Sequence, residues 1–157
     1  MLTERCNPIA SAIAVVVMVW LGASSVVAQG GIANATGLRC SFSTLVAVRW
    51  RSDGAPDISP GSASLTLRFE GIDADAGVAE LKTGSMTSEL IVRASAGYLN
   101  FLQVFRTGPM YTTTVFDAGS RGGRFKAVHS RHEYLDPPLA GGTSTPEQYY
   151  GECEIVP

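Results

Sequence analysis

Positive charge is in short supply. Lys and Arg together number 12 against 14 Asp and Glu, a formal net charge of -2. No basic surplus exists to neutralise a phosphate backbone, which excludes a polybasic nucleic-acid binder. Only 2 His and 3 Cys are present. No second Cys/His group stands at zinc-site spacing, which disfavours a structural metal. Nor does any stretch keep helical spacing over three turns, and there is no repeat of fixed period, no domain linker and no G-x-S-x-G elbow. Beyond residue 28 no long apolar run follows, so removal of the N-terminal segment leaves nothing to hold the chain stably in a membrane. What remains, at 45% hydrophobic and 17% charged, is the composition of one globular domain rather than of a disordered chain.

The N-terminal segment is different in kind. Residues 9–21 are apolar except for Ser11, and small residues follow as far as Val26-Val27-Ala28. Val26 and Ala28 fit an A-x-A-like cleavage site, so residues 1–28 read as a secretory signal peptide. A retained membrane anchor is the alternative, since 9–28 is about long enough to span a bilayer. Gly22, Ser24 and Ser25 weigh against it. Cleavage removes Cys6 and leaves Cys40 and Cys153. An even pair in an exported chain reads as a disulfide, which places the protein in the periplasm or outside the cell.

Residues 29–37 are small and polar and read as a flexible tail before a single domain over 38–157. There, short runs of β-formers alternate with Gly, Pro, Asp and Ser clusters. Eight strands are expected, at 38–51, 64–70, 78–82, 88–94, 98–106, 111–116, 124–134 and 148–155. The first carries apolar residues on both parities (Val46, Val48 and Trp50 against Leu45 and Ala47) and calls for a bulge. Leu65, Leu67 and Phe69 alternate cleanly with Thr66, Arg68 and Glu70, as a half-buried strand does. Short Gly-containing connections at 83–85, 95–97 and 107–109 fit hairpins. Longer loops are expected at 52–63 and 136–147. With an even number of meandering strands the first and last are antiparallel neighbours, which brings Cys40 beside Cys153. The expectation is all-β, a closed up-and-down barrel, with a β-sandwich as the alternative.

The segment from Phe125 to His132, with Ala127-Val128-His129-Ser130-Arg131-His132, and the later Gln148-Tyr149-Tyr150-Gly151-Glu152-Cys153 resemble parts of small exported proteins of Gram-negative bacteria. Leu38-Arg39-Cys40-Ser41-Phe42 and Leu99-Asn100-Phe101 are similar too. That group carries no known activity, so the resemblance implies a compartment and not a reaction. To lipocalin and avidin-like barrels the chain is similar at the level of fold alone, since the lipocalin Gly-x-Trp motif is missing.

Residues 129–132 are the densest cluster of functional side chains. On a strand His129 and Arg131 share one face, and Ser130 and His132 the other, which points the two histidines apart and disfavours a shared metal. Ser130 with a His, and Asp117 or Asp136 as third member, is a remote hydrolase reading that needs geometry the sequence does not supply. Glu70, Asp73, Asp75 and Gly77 read as an acidic turn rather than a calcium loop. Tyr149 and Tyr150 face opposite ways, and Phe69, Phe101, Phe105, Trp50 and Tyr111 are expected to line the barrel. No cofactor and no catalytic residue is assigned.

The reading that results is a non-enzymatic binding protein. Its candidate ligand contacts are His129, Arg131, His132, Tyr149 and Tyr150. A small apolar or amphipathic ligand in the barrel or at its mouth is one candidate partner. The other is an envelope protein, or a secreted hydrolase to be inhibited, held by the two long loops. An open cavity would favour the first; a filled barrel with an exposed, ordered loop would favour the second.

Overall fold

Alternate residues of a strand point to opposite faces, so a chain of half-apolar strands buries one face by curling into a ring. A computed structural model describes residues 31–134 and 145–157. In chain order the strands are β1 (Leu38–Trp50), β2 (Pro56–Asp73), β3 (Val78–Thr83), β4 (Met86–Ser95), β5 (Tyr98–Val104), β6 (Met110–Arg121), β7 (Arg124–His132) and β8 (Glu147–Ile155). Each pairs antiparallel with the next, and β8 pairs with β1, so the meander closes on itself and the sandwich alternative is ruled out. Cys40 lies directly opposite Cys153 in the β1–β8 ladder, and the two are joined as a disulfide.

Most inward positions are apolar. Leu38, Cys40 and Phe42 of β1, Leu67 and Phe69 of β2, and Leu99 and Phe101 of β5 are buried, while Arg39, Ser41 and Arg68 between them are exposed. That polarity is the reverse of a barrel whose outside faces lipid. Two-residue turns tie β3 to β4, β4 to β5 and β6 to β7; at Ala96-Gly97 both residues have positive φ, of 45° and 84°, which matches the twist of the strands they join.

One end of the ring is plugged. A single 3-10 turn, Ile32–Asn34, packs against β5 and β6 and carries Ile32 into the core at 1% exposure. The Ile72 N–H donates to the Thr36 carbonyl (3.0 Å) and the Val156 N–H to the Gly37 carbonyl (3.1 Å). This corrects the expectation of a loose tail through residue 37. Ile32 is the one large apolar side chain there, and the open end of a ring is the nearest place to bury it.

The interior is filled. Phe69 and Phe101 stack with centroids 4.1 Å apart. Among Phe69, Leu81, Leu90, Phe101, Thr113 and His129 the centre of a water-sized sphere has only ≈ 10 Å³ to move in. That is at the lower limit for one water molecule and far below a ligand cavity.

The second correction concerns β2. Residues 56–63, expected as part of a loop, are strand. Thr44 to Trp50 of β1 pair with Ser62 to Pro56 of β2, leaving a short turn at 51–55. The expected bulge is present, with both β1 ladders shifting register between Phe42 and Thr44. Prolines mislead here because a strand with one free edge tolerates a missing N–H on that side. The outcome is a β1–β2 arm at the end opposite the plug. β6 likewise runs on past 116, to Arg121, through an irregularity in its pairing with β7. The other expected loop, 136–147, lies outside the described residues up to 144.

Candidate functional site

Strand register assembles the end of the barrel opposite the plug. Thr113, His129 and Tyr149 are direct neighbours across β6, β7 and β8, and Tyr111, Arg131 and Glu147 form the next row toward the end opposite the plug. All six belong to the inward face. Of the sequence candidates, His129, Arg131 and Tyr149 therefore meet. His132 and Tyr150 do not: both lie on the outer face and are exposed, and the Tyr150 hydroxyl donates to Gln148 (2.7 Å). Tyr111 is named in the sequence only as a barrel-lining aromatic, and Thr113, Glu133 and Glu147 not at all, because the pairing of distant strands brings them here.

The cluster spends most of its polarity on itself. Thr113 Oγ1 and His129 Nδ1 share a hydrogen bond of 2.9 Å. The Tyr149 hydroxyl donates to Glu147 (2.5 Å) and the Tyr111 hydroxyl to Glu133 (2.7 Å). Burial, and then those carboxylates, push both phenols up to about 12, so they remain donors at neutral pH. Arg131 lies between two rings, with its guanidinium carbon 5.4 Å from the Tyr111 centroid and 5.0 Å from that of Tyr149. It stands 3.7 Å from Glu147. Its buried Nε has no hydrogen-bond partner among the described residues.

His129 is 3% exposed, and burial followed by the nearby Arg131 charge brings its pKa down to about 4. The ring is neutral at pH 7. Below an unfolded value of 6.5 the unfolded chain takes up a proton that the folded one refuses. Stability is therefore intact above pH 6.5, falls as pH drops, and stops falling on this account below about 4. The loss is expected to total about 3 kcal/mol. His129→Gln should flatten that limb in urea titrations run at each pH; identical slopes in the two proteins would refute the assignment.

No catalytic or metal arrangement forms among the described residues, and Asp136, one candidate third member, lies outside them. His129 and Ser130 occupy opposite faces, and no hydrogen bond joins Ser130 to either histidine among the described residues. No group of three metal-ligating side chains is found among the described residues. Asp73 accepts from the Ala76 N–H (2.7 Å), which makes the acidic 73–77 segment a turn that satisfies its own backbone.

The arm presents a surface of a different kind. Leu45 and Ala47 pair with the inward Tyr149 and Glu147, so Val46, Val48 and Trp50 point outward. Across the hairpin they meet Pro60, Ile58 and Pro56, three consecutive apolar pairs on one outer face. Trp50 is 49% exposed and Ile58 64%. Tyr134, 59% exposed, stands edge-on to Trp50 at 5.3 Å. Beside Val46 and Val48 a recess of ≈ 260 Å³ is bounded by Ser130, His132, Pro146 and Gln148. Trp50 thus does not line the barrel as expected. The bulge after Phe42 reverses the parity of the strand and turns it outward. The period-2 apolar run 46–50 was visible in sequence; its direction was not.

No protein-family model matches the chain, and no curated protein or solved structure matches it.

Proposed function

We propose that the protein is an exported, non-enzymatic binding protein that meets a protein partner through the apolar outer face of its β1–β2 arm. The observation that carries this is the run of three apolar cross-strand pairs on the outer face, with Trp50 and Ile58 exposed and Trp50 against Tyr134. Contiguous exposed apolar surface of this kind marks interaction sites, and Trp and Tyr supply much of the energy at protein interfaces. The filled interior favours a macromolecular partner over a small ligand held inside. Export is supported by the signal-like residues 1–28, which lie outside the described residues, and the Cys40–Cys153 disulfide fits an oxidising compartment.

Site-directed photocrosslinking tests it. A photoreactive phenylalanine at position 58 should give a discrete protein adduct in the host's exported fraction. The same group at position 91, an exposed isoleucine of β4 away from the arm, should not. Trp50→Ala should weaken the adduct by about 2 kcal/mol in affinity, or roughly thirtyfold. Equal adducts at 58 and 91, or none at either, would count against the arm.

A further inference from the structure

Strand β2 has two edges. β1 follows one along almost its whole length. β3 covers the other only from Arg68 onward, through Arg68↔Lys82, Phe69↔Leu81 and Glu70↔Glu80, before the short β3–β4 hairpin turns back at Thr83↔Met86. From Pro56 to Leu67 no strand pairs with this second edge among the described residues. A notch is left in the barrel wall above the β3–β4 turn.

Exposed edges are usually blunted by proline, charge or a bulge, because their free N–H and C=O groups are templates for another strand. Here the protection is uneven. Pro56, Asp57 and Pro60 sit in the distal part, whereas Gly61-Ser62-Ala63-Ser64-Leu65-Thr66-Leu67 holds neither proline nor charge. Its faces alternate. Leu67 is buried, and Ala63 and Leu65 pack against the core but stay only partly covered, at the notch. Ser64 and Thr66 point outward with small hydroxyl side chains, onto the floor of an outer groove of ≈ 830 Å³ bordered by Arg39, Arg124, Glu152 and Glu154. Arg39 donates to Glu154, and Arg124 lies 3.7 Å from Glu152, so these four charges largely satisfy one another. What the edge leaves unmet is backbone hydrogen bonding and the covering of two apolar side chains. One kind of occupant meets both needs, an extended polypeptide with alternating apolar side chains.

We propose that β2 takes up an extended segment of a partner protein along Gly61 to Leu67, by strand addition into the notch above the β3–β4 hairpin. The added strand continues the sheet past Lys82 and Thr83 and lays its apolar side chains beside Ala63 and Leu65. The proposal rests on the arm as a contact region and adds the chemistry of the partner, through a surface distinct from the Trp50–Ile58 face.

The test uses the oxidised full-length mature chain and a phage-displayed library of linear nonapeptides with alternating apolar and polar positions. An enriched peptide, made synthetically, should slow amide exchange at 61–67 by about tenfold when present at about ten times its Kd. Methylating alternate amide nitrogens of the peptide should weaken binding at least about tenfold, since it removes the donors that pair strands. Trp50→Ala should leave peptide binding unchanged while weakening the crosslink formed from position 58. Failure to enrich, tolerance of N-methylation, protection elsewhere, or protection from self-association of the chain would each overturn the proposal. Crosslinks at 58 that persist without peptide binding would sink strand addition alone; peptide binding without crosslinks would sink the apolar face alone.

Discussion

Replacing Cys40 and Cys153 together by alanine is expected to cost about 4–5 kcal/mol of folding stability. The two residues are 113 apart in sequence, so the bridge closes nearly the whole domain into one loop and removes much of the freedom of the unfolded chain. Both are buried, and they face each other across the last ladder to close the ring. Against a typical net stability of about 5–15 kcal/mol, such a loss takes roughly a quarter or more of the total. Urea denaturation of the oxidised protein and of the double variant measures it through the shift in midpoint. A change below about 1 kcal/mol would mean that strand pairing alone holds the seam.

Gly151→Ala should do comparable damage for a different reason. A β-carbon at position 151 would lie 2.0 Å from the Ser41 carbonyl oxygen and 2.7 Å from Phe42 Cα. Both are backbone atoms of the neighbouring strand and have no rotamer through which to escape. The approach is this close because β1 shifts register between Phe42 and Thr44 as it passes Gly151. Alanine must push β8 away from β1 two residues from the disulfide, at an expected cost of about 3 kcal/mol. Gly61→Ala is the matched control: nothing lies within 4 Å of its added methyl, and its stability should move by no more than about 0.5 kcal/mol. Equal effects at the two positions would show that loss of glycine freedom, not collision, is being measured.

Both predictions concern the β1–β8 seam, and the seam was largely legible beforehand. Eight strands followed from apolar alternation such as Leu65, Leu67 and Phe69 and from the glycines of the hairpin turns. An even meander then placed Cys40 next to Cys153. What escaped was decided by contacts distant in sequence. Pro56 and Pro60 read as loop residues, yet pairing with Trp50 and Val46 makes them strand. Ile32 alone in a small polar run sets up no period, and only the finished ring offers it a place. For His129 and Arg131, alternation indicated a shared face, but Tyr111, Thr113 and Glu147 joined them through cross-strand register alone. Trp50 was visible as an aromatic, while the bulge eight residues earlier set the direction in which it points.

The meeting of Leu38 with Ile155, reinforced by the Val156 bond to Gly37, bears on how the domain can be attached to anything else. Both ends of the folded ring emerge at the pole sealed by Ile32, and the β1–β2 arm stands at the other. A tether fused before Gly31 or after Pro157 therefore leaves from the same side, and a molecule hung by either end carries the arm at its distal tip. The strand order is also nearly indifferent to where the chain is cut. Linking the two ends and reopening the chain at the Gly84-Ser85 turn keeps every strand beside the neighbours it has now.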